Sequence, residues 1–184
     1  MVYLFGLDTR ILFTGLVALV AVQRLVELRV ARRNERRKRA AGGVEAGAGH
    51  YPVMVGLHTL FLLSCVAEVW LLPRPFVPWL GFVMLVVLAA ASGLRWWVVR
   101  SLGGAWTTRV IVVPGAPLVA SGPYRFFAHP NYVAVALEIA ALPMVHTAYL
   151  TAGAFSLANG ALLAVRIRTE EAALERHGGK GESR

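Results

Sequence analysis

Five long apolar runs govern what this chain can fold into. Phe5 to Leu28, Pro52 to Leu72, Pro78 to Val99, Pro130 to Val145 and Tyr149 to Val165 are predominantly apolar, and most approach the ~20 residues that a helix needs to cross a hydrocarbon layer. With 57% hydrophobic and 16% charged residues among 184, a water-soluble domain of this size has too little interior to hide them. An all-α integral membrane fold of about five transmembrane helices is expected, because only helices and closed barrels satisfy their own backbone in lipid. Met1 to Phe5 has no basic residue, and the positive charges follow the first apolar run. That is the wrong order for a cleaved leader, so a retained span is expected.

Seven of the 19 Lys and Arg residues lie between Arg29 and Arg39. The net charge of +9 therefore reads first as a topology signal and as contact with anionic lipids, and nucleic-acid binding is not expected. Placing the basic loop 29–50 in the cytoplasm puts Arg10 and Arg74 outside and every other basic cluster inside. A multi-pass protein with its N-terminus out and its C-terminus cytoplasmic is predicted. Ala40 to Gly49, Ala and Gly with one Glu, reads as a flexible linker. The lone Cys65 excludes a disulfide, and no metal-binding pattern is present. The chain divides into residues 1–100, three helices and the basic loop, and residues 101–184, a core with two helices and a charged cytosolic helix that breaks at Gly178 and Gly179.

Gly103, Gly104, Pro114, Gly115, Pro117, Gly122 and Pro123 prevent Ser101 to Phe127 from being one helix. Within it, the β-branched Thr107 to Val113 is expected to be extended. Charged residues inside the spans have structural readings. Arg24 and Glu27 are placed to snorkel, Glu68 and Glu138 to bond between helices, and His58 and Glu68 lie on opposed helical angles and do not act together.

Polar chemistry concentrates instead at Ser121 to Tyr132, SGPYRFFAHPNY, and at Val165 to Glu171, VRIRTEE, which the topology places at one membrane face. Pro130 opens a helix whose free N–H groups suit an anion. Arg166 and Glu170 are four apart, spaced for a surface ion pair, while Arg168 and Glu171 point elsewhere.

The order GPYRxxxHPNY, an apolar hairpin and RIRTEExxL resembles the isoprenylcysteine carboxyl methyltransferase family, and TTRVIVVPGAPLVASGPYR resembles its bacterial branch of alkylpyrone and alkylresorcinol O-methyltransferases. The resemblance covers about Arg95 to His177. It implies a membrane methyltransferase with S-adenosylmethionine in a cytosolic pocket formed by the C-terminal half, and a lipophilic or prenylated substrate entering from the bilayer. Gly122, Tyr124, His129, Pro130, Asn131 and Tyr132 match the first cofactor-binding stretch, and Arg166, Glu170 and Glu171 the second. His129, Arg166 and Glu170 are the expected catalytic residues. Ala128 stands where the family usually has Arg, a role Arg125 could take over. Phe126 and Phe127 either flank the cofactor or anchor at the interface. The alternatives are phospholipid N-methylation and a non-catalytic membrane interaction protein.

Overall fold

In the computed structural model, which describes residues 3–4 and 7–177, the described residues form five helices. They are α1 (Thr9–Ala40), α2 (His50–Leu71), α3 (Pro78–Leu102), α4 (Pro130–Met144) and α5 (Tyr149–His177). Among the described residues, α1, α2, α3 and α5 are long and apolar enough to span a membrane, and α4, at 15 residues, is a shorter apolar helix. The fold is that of an all-α integral membrane protein. Leu19, Leu25, Leu60, Leu63, Phe82 and Leu157 face outward, as side chains bathed in lipid do. The expected breaks at Gly178 and Gly179, and the expected first helical residue Phe5, lie outside the described residues.

The core forms where apolar residues recur at helical spacing. Phe13, Val17 and Val20 of α1 meet Phe61, Cys65 and Val69 of α2, Leu88 of α3, and Ile139 and Leu142 of α4. Pro78 and Pro130 sit at the first turns of α3 and α4 as anticipated, where their missing N–H costs nothing.

Two expectations are corrected. The basic run is not a loop: α1 continues through it to Ala40, because Arg, Lys, Glu and Ala are strong helix formers and nothing breaks the helix before Gly42. The rotation of the helix divides the run into two faces. Ala31, Asn34 and Glu35 are buried, while Arg29, Arg32, Arg33, Arg36 and Arg37 are exposed. Asn34 donates to the carbonyls of Gly103 and Trp106 at 3.0 and 2.9 Å.

The linker after it is not wholly flexible either. Val44–Ala46 forms a strand that pairs antiparallel with Val110–Val112, in register Val44↔Val112 and Ala46↔Val110. The extended conformation expected within Thr107 to Val113 thus finds its partner. A shorter antiparallel pair, Tyr3–Leu4 with Leu7–Asp8, precedes α1. In chain order the four strands are β1 (Tyr3–Leu4), β2 (Leu7–Asp8), β3 (Val44–Ala46) and β4 (Val110–Val112). Sheet β3–β4 caps the end of the bundle that carries the basic run, the basic end below.

Candidate active site

The two polar stretches converge at the basic end. His129 is the residue before α4, Tyr132 lies in its first turn, and Glu170 and Glu171 lie on α5. The Tyr132 hydroxyl donates to Glu170 Oε2 at 2.5 Å across 38 residues of sequence. His129 Nε2 lies 3.2 Å from Glu171 Oε1 across 42 residues. The His129 and Tyr132 rings stack with centroids 5.5 Å apart, and the Arg166 guanidinium lies 5.9 Å from the Tyr132 ring centre. Two segments separated by an apolar hairpin therefore build one cluster of a phenol, an imidazole, a guanidinium and two carboxylates.

Two residues point where the spacing did not. Arg166 turns to other partners than Glu170. Its Nη2 donates to the Thr108 carbonyl at 2.9 Å and its Nη1 lies 3.1 Å from the Met54 sulfur. Four-residue spacing permits an ion pair but does not compel one when a backbone carbonyl from another segment is nearer. Glu171, expected to point away, holds His129 while remaining half exposed. Neither Thr108 nor Met54 could be assigned to this site from sequence, because their approach is set by packing over long separations.

The 3-10 turn Gly122–Arg125 brings Tyr124 to the cluster. Gly122 has φ +62°, and a Cβ there would collide with the Ser101 hydroxyl and come within 3.2 Å of Trp97 Nε1. Only glycine lets the turn lie this close to α3. Burial, and secondarily the Glu170 carboxylate, push the Tyr124 phenol up to about 12. It is a neutral hydrogen-bonding group at physiological pH, not a base. Phe126 and Phe127 project outward, the anchoring arrangement. Ala128 and Arg125 are exposed.

A cap holds the cluster from above. Arg109 Nη1 donates to Glu45 Oε1 at 2.7 Å, Arg39 also pairs with Glu45, and the Arg109 guanidinium lies 3.9 Å from the Tyr51 ring centre. Lys38 Nζ donates to the Ile111 carbonyl at 2.8 Å. Burial alone would raise the Glu45 carboxyl. The bonds from Arg109 and Arg39 outweigh it and hold the group below its ordinary value of 4.5.

The charged residues within the spans are more connected than single-helix readings allow. Arg24 does not snorkel: it pairs with Glu27 and donates to Glu138 Oε2 at 2.6 Å, and Arg95 Nε reaches Glu27 Oε2 at 2.7 Å. Snorkelling presumes a helix alone in lipid, whereas here α3 and α4 supply partners. Glu138 bonds between helices as expected. Glu68 does so through the N–H groups of Leu150 and Thr151, at 3.1 and 2.7 Å. His58 instead faces the Met54 carbonyl.

A bundle of apolar helices with a clustered acid, base and guanidinium at one end is the construction of an integral membrane enzyme. Residues 82–176 match the isoprenylcysteine carboxyl methyltransferase family. The chain belongs to that family, and its class is membrane methyltransferase. It is also similar to the uncharacterized protein YpbQ of Bacillus subtilis (strain 168), 43% identical over 167 residues, which are 90% of this chain and 98% of that one.

Proposed function

We propose that the protein transfers a methyl group from S-adenosylmethionine to a hydroxyl of a lipophilic acceptor, an alkylpyrone or alkylresorcinol in preference to an isoprenylcysteine carboxylate, with the basic end cytosolic. The observation that carries this reading is the convergence of His129 and Tyr132 with Glu170 and Glu171. The residues suit the donor. Among the described residues, Asn131 Oδ1 and Arg166 Nε are buried without a hydrogen-bond partner, an acceptor and a donor that a polar ligand would satisfy. The accessible Glu171 suits an ammonium and the Arg166 guanidinium a carboxylate. Pro130 and Gly122 shape the backbone around them.

When bound, the sulfonium supplies an electrophilic methyl group. Everything else falls to the protein: holding the acceptor oxygen in line, excluding water and removing the hydroxyl proton. A phenol with pKa near ~10 needs a base. His129 is best placed, since a carboxylate partner on Nε2 favours the tautomer with its hydrogen there and leaves the Nδ1 lone pair to take the proton. Tyr132 and Glu170 orient, and Arg166 ties α5 to the Thr108 carbonyl before β4. On the outer face of α1, Arg29, Arg32, Arg33, Arg36 and Arg37 suit anionic headgroups.

Calorimetric titration of the protein in nanodiscs with S-adenosylmethionine tests the reading. Saturable binding is expected, weakened in both His129→Ala and Glu170→Ala. A folded wild type that binds no donor would defeat the proposal and favour a non-catalytic membrane protein.

A further inference from the structure

One face of α1, a helix outside the two polar stretches, lies along the candidate site. Ala31 is fully buried in a cluster with Trp106, against which Tyr124 packs. A turn on, Asn34 donates to the Gly103 and Trp106 carbonyls, and Glu35 accepts from the Thr108 hydroxyl at 3.1 Å. A turn further, Lys38 Nζ donates to the Ile111 carbonyl at 2.8 Å. Ala31, Asn34, Glu35 and Lys38 recur at the three- and four-residue spacing of a single helical face. That face follows residues 103–111 from end to end, and the same segment offers its Thr108 carbonyl to Arg166 of α5. Residues 103–111 are thus tied to both α1 and α5.

Lys38 is the residue of this face whose bonding is incomplete. An ammonium has three N–H groups, and the Ile111 carbonyl takes one. Lys38 is half-buried and stands within electrostatic reach of Glu170. Among the described residues Lys38 bonds the Ile111 carbonyl and Glu170 the Tyr132 hydroxyl, and no ion pair joins the two. Opposite charges attract across such a gap, but here each is moored, one to β4 and the other to α4. The neighbouring positions offer less to an anion. Arg166 already gives Nη2 to Thr108, Arg125 is exposed, and Ala128, beside His129, carries no charge.

We propose that α1 supplies one wall of the methyl-donor pocket and that Lys38 binds the carboxylate at the amino-acid end of S-adenosylmethionine. The inference rests on the methyltransferase reading for the identity of the methyl donor. An α-amino acid carries an ammonium and a carboxylate on one carbon, so it fits between a moored carboxylate and a moored ammonium with each charge against its complement. A carboxylate accepts several N–H groups, so Lys38 adds to what Arg166 Nε, buried and unpartnered among the described residues, offers the same group. The Ile111 carbonyl already orders the Lys38 side chain, and binding there spends little further side-chain entropy.

The test titrates the full chain in nanodiscs by calorimetry with three probes: S-adenosylmethionine; its decarboxylated analogue, which keeps the ammonium and the sulfonium; and methylthioadenosine, which lacks the amino-acid end. In Lys38→Met the affinity for S-adenosylmethionine should fall roughly tenfold to a hundredfold, the scale of a lost hydrogen bond to a charged group. The two probes without a carboxylate should bind that variant as they bind the wild type, so that removing the carboxylate and removing Lys38 are not additive. Lys38→Gln keeps an N–H for the Ile111 carbonyl and should show the same selective loss, which serves where Lys38→Met does not fold. A lysine that merely tied α1 to β4 would, once replaced, weaken all three probes alike. That result, or unchanged S-adenosylmethionine affinity in both folded variants, would overturn the assignment while leaving the methyltransferase reading intact. A folded wild type that bound none of the probes would defeat that reading and the role of Lys38 with it.

Discussion

The two ends of the bundle use carboxylates in opposite ways. At the end away from the basic run, Glu68 is 7% exposed and accepts from the Leu150 and Thr151 N–H groups at the first turn of α5, with Arg74 at 3.3 Å. Its oxygens are consumed by the backbone amides that every helix start leaves unpaired. At the basic end, Glu170 and Glu171 accept from a phenol and an imidazole, groups that can exchange partners with a ligand. A carboxylate spent on main-chain amides is architecture. One spent on titratable side chains is available for chemistry.

Exchanging charge for amide at each end should separate the two roles. Glu170→Gln is expected to lower donor affinity roughly tenfold to a hundredfold, the scale of a lost charge-assisted bond, with little change in unfolding. Glu68→Gln should do the reverse, lowering stability by about 2–3 kcal/mol while the folded fraction keeps its donor affinity. Thermal unfolding in detergent beside calorimetry reads both. If Glu68→Gln impaired donor binding in folded protein, the division between the ends would fail.

The next effect is smaller. Gly122→Ala should cost about 1–2 kcal/mol, because alanine at φ +62° is strained, and the Ser101 hydroxyl stands in the path of the new Cβ. Adding Ser101→Gly should recover the part due to crowding and not the part due to backbone. Full recovery would mean that crowding alone fixes this glycine.

The smallest effect concerns the cap. The Glu45 carboxyl is held below 4.5 in the folded protein, so its bonds to Arg109 and Arg39 contribute fully above that value and are lost as pH falls through the lower folded one. Amide exchange in residues 44–46 and 110–112, corrected for intrinsic rates, should accelerate as pH is lowered across this range, and Glu45→Gln should flatten the response.

These contrasts also mark what the sequence could reveal. Proline placed the starts of α3 and α4, and apolar runs located every helix, because those signals are local. The pairing of Val44 with Val112 was illegible, since Ala and Gly around a short strand carry no mark of a distant partner. The same holds for Arg95 meeting Glu27, where single-helix reasoning sees two charges near a headgroup layer rather than one pair. Within the candidate site, resemblance singled out the motif residues, and the Tyr132 to Glu170 and His129 to Glu171 pairings needed the fold. Arg166 was found with the wrong partner.

Helix α1 has a mechanical consequence. Its 32 residues make a rod of about 48 Å, some 18 Å longer than the hydrocarbon layer. Arg24 and Glu27 lie on one stretch of this unbroken rod, and Lys38 and Arg39, which grip the cap, lie on the next. A helix without an internal proline transmits axial rotation along its length. The charge network between the spans and the cap at the basic end are therefore geared to a single shaft.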